Sequence, residues 1–175
     1  MRAFAVVRTV LYMTGFVVLW AWVAVSVRRL DPVIGLPLPS WFAPLGYVAM
    51  SGGAIIGLAC AASFAWRGRG TPAPFDPPVE FVASGLYRWV RNPMYVGGAL
   101  ILAGYGLAVR SPAVLAMTAV LASITHCFVV FAEEPGLRAR FGESYVAYTR
   151  SVNRWLPRPP RDHSEPPDRP RAPRS

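Results

Sequence analysis

A chain of 175 residues that is 54% hydrophobic and only 15% charged, yet carries a formal net charge of +9, is neither an ordinary soluble domain nor a disordered polymer. All 18 basic residues are Arg. The two cysteines, Cys60 and Cys127, both lie in apolar runs, which excludes a disulfide framework and a Cys-rich zinc site, and the length suits one domain.

The apolar residues fall into blocks. Thr9 to Val27 is 19 residues without a charge, Trp41 to Trp66 is 26, Met94 to Val109 is 16 and Ser111 to Ala132 is 22. A membrane-spanning helix needs about 20 apolar residues, with a lower limit near 17. The first, second and fourth blocks qualify alone, and the third does so when Asn92 and Pro93 form its start. The chain therefore reads as an all-α integral membrane protein with four transmembrane helices, an amphipathic helix and a disordered tail. A signal peptide is the rival reading of the first block, because Arg2 and Arg8 precede it. Against that, its apolar stretch is longer than the usual h-region and no clear small-x-small cleavage site follows.

The arginines set the expected topology. With the N-terminus inside, the cytoplasmic segments hold 15 arginines and the outer loops hold three, Arg28, Arg29 and Arg110. That bias predicts a multi-pass protein of the cytoplasmic membrane, with both termini and the 67–92 loop facing the cytoplasm. The +9 charge thus marks topology rather than a nucleic-acid footprint.

Within the second block, Gly53, Gly57 and Ala61 recur at four-residue spacing, which lets helix backbones approach closely. Packing inside the bundle and a dimer interface both use such a stripe. Only Arg110, Ser111 and Pro112 join the third and fourth blocks, so these two form a tight antiparallel hairpin, with Pro112 suited to a first helical turn.

After the fourth block, Leu137, Phe141, Tyr145, Tyr148 and Val152 fall on one helical face, with Arg138, Arg140, Glu143 and Arg150 mostly away from it. This predicts an amphipathic helix resting on the membrane surface or on the bundle. Gly142 in its middle costs about 1 kcal/mol relative to Ala, which points to a close backbone or ligand contact. From Pro157 to Ser175 the chain is rich in Pro and Arg with almost nothing apolar. That tail is expected to be disordered, either touching anionic lipid headgroups or simply solvated.

Two places carry more than structure. The first is Gly85-Leu86-Tyr87-Arg88-Trp89-Val90-Arg91-Asn92-Pro93-Met94-Tyr95, at the cytoplasmic start of the third helix. Asn92 suits an N-cap and Pro93 a first helical residue. The free N–H groups of such a helix start can hold an anion. Tyr87, Trp89 and Tyr95 can serve as interfacial belt residues or frame a flat or cationic ligand. The second is Glu133-Glu134 at the cytoplasmic end of the fourth helix, followed by Pro135. Adjacent carboxylates at a helix C-terminus oppose the dipole, and an ionisable residue at the end of a span is a functional candidate. Alternatively they reach the cytoplasm and pair with Arg138 or Arg91. The hairpin brings both places to one membrane face. His126, seven residues before Glu133, reads as a packed, hydrogen-bonded residue rather than a catalyst.

The run Val79 to Pro157 resembles the catalytic half of the isoprenylcysteine carboxyl methyltransferase family of integral membrane enzymes, which is related to phospholipid N-methyltransferases. The resemblance rests on Ser84-Gly85, Tyr87, Arg91-Asn92-Pro93, Tyr95 and Gly97, and then on Glu133-Glu134, Leu137, Phe141-Gly142, Tyr145, Tyr148, Val152 and Pro157. It implies S-adenosylmethionine (SAM) as methyl donor. By residue, it implies cofactor contacts from Tyr87, from Asn92, Pro93, Met94 and Tyr95, from Glu133, and from Val79, Glu80, Phe81 and Val82, with Arg91 and Glu133 as catalytic residues. With the apolar blocks and the tail, this divides the chain into two N-terminal transmembrane helices (1–66), which carry no such signature, a SAM-binding catalytic region (67–156) and the tail (157–175).

This chain departs from the family pattern at three positions. A His is replaced by Val79, the His before Pro is Asn92, and a substrate-binding Arg four residues before Glu133 is Val129. Asn92 keeps hydrogen bonding but cannot titrate, and Val129 removes a cation for an acceptor carboxylate. The acceptor is expected to be lipidic or small and apolar, with membrane lipids as surroundings. An isoprenylated cysteine or other carboxylate, a phospholipid amine and a small thiol all remain open, as does a catalytically inactive membrane scaffold.

Overall fold

The computed structural model describes residues 2–67 and 85–159, with side chains described over 14–63 and 85–159. Among these residues every regular element is helical. They comprise α1 (Arg2–Val27), a 3₁₀ turn (Arg28–Leu30), α2 (Asp31–Ile34), α3 (Phe42–Arg67), a second 3₁₀ turn (Gly85–Arg88), α4 (Pro93–Ala108), α5 (Pro112–Phe128), a π-helical turn (Val129–Glu133) and α6 (Glu134–Ser151). The one β-type contact among them is a parallel bridge between Val90 and Asn153.

Among the described residues, two helical runs are long and apolar enough to cross a membrane, Phe42–Ser63 and the run that begins at Pro112. The 16 residues of α4 rise only about 24 Å, short of the roughly 30 Å hydrocarbon core. Large apolar side chains stand exposed on α1 (Trp22), α3 (Val48, Leu58) and α5 (Ile124). The buried residues are mostly small, which fits helices whose outer faces meet hydrocarbon rather than water.

Glycines on both helices determine how α3 and α4 meet. A Cβ on Gly53 would lie 2.6 Å from the carbonyl oxygen of Gly97, and one on Gly104 would lie 2.7 Å from that of Gly46. A Cβ on Gly46 would run into the backbone nitrogen of Ala108. Gly46 and Gly53 on α3 thus oppose Gly104 and Gly97 on α4, two antiparallel pairs seven residues apart. The expected small-residue stripe is there and works inside the bundle, but its period differs. Gly57 borders this seam, its backbone nitrogen lying 3.4 Å from a Cβ on Gly97, but a Cβ on Gly57 itself would meet nothing within 4 Å, and Gly46 extends the seam at the other end.

The hairpin between α4 and α5 forms as its three-residue length requires. Arg110 adopts a left-handed φ of 55°. The Ser111 amide donates to the Gly106 carbonyl (2.8 Å) and the Arg110 amide to that of Leu107 (3.1 Å). This paired bonding is the Schellman arrangement, with Arg in the position usually held by Gly. Ser111 then caps α5, its hydroxyl accepting from the Val114 amide at 3.2 Å, with Pro112 in the first turn.

Asp31, the first residue of α2, reaches the same place. Its Oδ1 accepts from the Ser111 hydroxyl (2.8 Å) and from the Ala113 amide (3.0 Å). A carboxylate there satisfies an otherwise orphaned N–H and complements the positive end of the α5 dipole. Asp31→Ala is expected to cost about 1–2 kcal/mol, read as a lower midpoint in thermal unfolding in detergent.

The fourth apolar block does not end in a separate helix. α5 runs through the π turn directly into α6. The Glu134 amide donates to Val129, a step wider than in an α-helix. Pro135 explains the placement, since its ring would clash with the carbonyl of Phe131 in a regular α-helix. The amphipathic segment is likewise not one straight helix. Gly142 has φ 55° and ψ −132°, which kinks α6 in its middle. A Cβ there would meet nothing within 4 Å. The glycine is therefore required by its backbone angle and not by the close contact expected from its position. Tyr145 and Val152 are buried, while Arg138, Arg140, Glu143 and Arg150 are exposed.

Candidate functional site

The two segments singled out in the sequence come together. Pro93 opens α4 and is fully buried, which places Tyr95 in the first turn. Glu133 closes the π turn at the end of the fourth apolar block. The Tyr95 hydroxyl donates to Glu133 Oε2 at 3.2 Å across 38 residues of sequence. Tyr95 remains 39% exposed, so this pair lies at an accessible surface.

Glu133 and Glu134 are adjacent but do different work. Burial pushes the Glu133 carboxyl above the usual range; the Tyr95 hydrogen bond opposes this and the neighbouring Glu134 charge adds to it. Burial acts on Glu134 too. There, hydrogen bonds from Arg154 and the charges of Arg91, Arg154 and Arg138 outweigh it and hold the carboxyl below the usual range. Arg154 grips Glu134 with two bonds, Nε to Oε1 at 2.7 Å and Nη2 to Oε2 at 2.9 Å. Arg91 Nη1 reaches the same Oε1 at 3.1 Å. The Arg91 and Glu134 side chains are only 12% and 15% exposed. Of the two carboxylates, Glu134 is thus engaged by two guanidinium groups, whereas Glu133 faces a phenol.

Arg91, anticipated as a catalytic residue and as a partner of the carboxylate pair, is bonded to Glu134, whereas Asn92 behaves differently from expectation. Asn92 occupies the N-cap position of α4, and its carbonyl accepts from the Val96 amide, but its side chain makes no cap bond. Its Nδ2 donates instead to the Arg154 carbonyl at 3.3 Å. A tertiary partner has displaced the local one, because the segment after α6 folds back alongside it.

That returning segment holds the start of α4 in place. The Arg91 amide donates to the Asn153 carbonyl (2.9 Å), and the Arg158 amide to that of Trp89 (2.8 Å). Chain pairing therefore continues past Pro157, where the disordered tail was expected to begin. The Tyr148 hydroxyl donates to the Tyr87 carbonyl at 2.6 Å. Burial pushes the Tyr87 phenol above its ordinary range, and the neighbouring Cys60, with which it shares a hydrogen bond, adds to the effect. Met94 is half-buried between Pro93 and Tyr95. Val79, Glu80, Phe81 and Val82 lie outside the described residues.

His126 is hydrogen-bonded, as expected, but exposed. Its Nδ1 accepts from Trp155 Nε1 at 3.0 Å. It does not join Glu133, with which a regular helix would have aligned it. Arg154 and Trp155 were not anticipated from the sequence. The available signal was an Arg and a Trp between the motif positions Val152 and Pro157, downstream of a carboxylate pair needing a cation.

Comparison with known proteins identifies the same region. Residues 43–144 match the family model described as phospholipid methyltransferase. A phosphatidylethanolamine N-methyltransferase of Pyricularia oryzae is 28% identical over 94 residues, covering 52% of this chain and 10% of that protein. A methanethiol S-methyltransferase of Crocosphaera subtropica is 32% identical over 83 residues, covering 46% of this chain and 30% of that protein. The matches thus span about a tenth and three tenths of the lengths of these relatives.

Proposed function

The chain belongs to the phospholipid methyltransferase family, and from that premise we propose that it is a membrane-embedded, SAM-dependent methyltransferase acting on a lipidic or small apolar acceptor. The observation that carries this reading is the Tyr95–Glu133 pair, an accessible phenol bonded to a carboxylate at the end of an apolar helix. SAM supplies a methyl group activated by a sulfonium cation. A carboxylate and aromatic faces are a donor set that fits such a cation and its ammonium group. Glu133 would hold that positive charge, while Tyr87, Asn92, Pro93, Met94 and Tyr95, together with Val79 to Val82, would complete the cofactor site.

Methyl transfer to an acceptor already nucleophilic needs little acid–base help. Alignment can supply effective molarities of about 10⁵ M or more. In this reading the protein has four spans, formed by α1, α3, α4 and α5, with the site at the cytoplasmic face. Residues 1–66 form the N-terminal pair of spans, 67–156 the catalytic region and 157–175 the tail. An apolar acceptor would arrive from the bilayer and SAM from the cytoplasm.

The relatives' activities, on an amine and on a thiol, favour acceptors of those classes, which would react as the neutral amine or the thiolate. The residue one helical turn before Glu133 is Val129, 1% exposed, and Arg91 and Arg154 are both engaged by Glu134. Neither observation favours a carboxylate acceptor such as an isoprenylcysteine. Calorimetry with SAM and purified protein, followed by incubation of membranes with methyl-labelled SAM, tests the reading. Micromolar to millimolar binding and label in an alkali-stable lipid or thioether product are expected. A chain that binds no SAM and labels nothing would instead be a membrane scaffold.

A further inference from the structure

We propose that Arg154, which is not among the positions on which the family resemblance rests, is a positioning residue that sets the Tyr95–Glu133 distance. This inference rests on the methyltransferase reading only for its consequence in SAM binding; its structural basis is independent. Arg154 touches both halves of the site through different groups. Its guanidinium holds both oxygens of Glu134, the residue after Glu133. Its carbonyl accepts from the side chain of Asn92, three residues before Tyr95. The preceding residue, Asn153, accepts from the Arg91 amide, and the Arg91 guanidinium returns to Glu134 Oε1. One residue thereby closes a ring between the start of α4 and the end of the π turn.

The ring matters because no side-chain cap bond locks either half locally. The Asn92 side chain makes no cap bond, so the first turn of α4 lacks the usual side-chain lock. The Glu133 backbone lies in a π turn, where an inserted residue loosens the register of the helix. Two parallel guanidinium–carboxylate bonds fix orientation as well as distance, which a lysine ammonium cannot reproduce. Arg154 acts on Tyr95 and Glu133 through its bonds to Glu134 and Asn92.

The test uses the full chain in detergent micelles. Arg154→Gln is expected to weaken SAM binding at least tenfold by calorimetry. It should also speed amide hydrogen exchange across residues 86–96 in the SAM-free protein. Arg154→Lys, which keeps the charge, should recover part of both. In a double-variant cycle, Arg154→Gln combined with Tyr95→Phe should lose little more affinity than the worse single variant, because both changes act on one distance. Trp155→Phe, which removes the neighbouring bond to His126 but none to Glu134 or Asn92, should leave SAM affinity within about twofold. Unchanged exchange in Arg154→Gln, additive losses in the cycle, or an equal loss in Trp155→Phe would overturn the positioning role. Wild-type protein that binds no SAM while exchange in Arg154→Gln still rises would overturn the methyltransferase reading and leave the positioning of Tyr95 and Glu133 standing.

Discussion

Glu133→Gln is expected to lower SAM affinity roughly 10- to 150-fold, the effect of losing a charge-assisted hydrogen bond worth about 1.5–3 kcal/mol. Tyr95→Phe should cost less, roughly 2- to 10-fold, because it removes a neutral donor worth about 0.5–1.5 kcal/mol. The pH dependence gives a sharper signature. In the proposed site Glu133 would hold a cation in its ionised form, and burial raises its pKa. Affinity should therefore be full above that raised pKa and fall as pH drops through it, at a higher pH than for an exposed glutamate. Glu133→Gln should flatten this profile. Calorimetric titrations of wild type and Glu133→Gln across acidic pH check the prediction. An identical acid limb in both proteins would assign the titration to another group.

The second large effect concerns the seam between α3 and α4. Gly104→Ala and Gly53→Ala are expected to destabilise the protein by about 1–3 kcal/mol each, the usual cost of forcing atoms into a packed interface. Their added Cβ atoms would meet backbone oxygens at 2.7 and 2.6 Å, and backbone cannot swing aside as a side-chain tip can. Gly98→Ala and Gly57→Ala are the contrast. Added Cβ atoms there meet nothing within 4 Å, and Ala is favoured over Gly in a helix interior by about 1 kcal/mol. These two should be neutral or slightly stabilising. Thermal unfolding of the four variants in one detergent separates the pairs. Equal losses at all four positions would mean that helix packing in the membrane does not follow this seam.

Much of the site was legible because it is local. A Pro in the first turn of a helix places Tyr95, and a three-residue connection between apolar blocks makes a hairpin, so Tyr95 and Glu133 were bound to reach the same end of that hairpin. The partner choices were not legible. Asn92 has the side chain of a cap and uses it elsewhere. Glu133 and Glu134 look equivalent in sequence, yet one faces a tyrosine and the other two arginines. A one-residue change of helix register decides between them, and that register depends on how Pro135 is accommodated. Gly142 was correctly singled out, but the need lies in its φ, which no spacing rule separates from close packing.

The sequence by itself determined the apolar blocks, the tight hairpin between the third and fourth of them, the small-residue character of α3 and the approach of the Asn92 segment to the carboxylate end of the fourth block. Each of these follows from the length of an apolar run or from connections too short to allow another arrangement. Only the tertiary structure decided the seven-residue glycine seam, the π turn that divides the two glutamates and the return of residues 152–158 over the start of α4. These depend on contacts between residues far apart in the chain. Hydrogen-bond partners there are chosen by which backbone groups packing leaves unsatisfied, and composition and spacing do not record that choice.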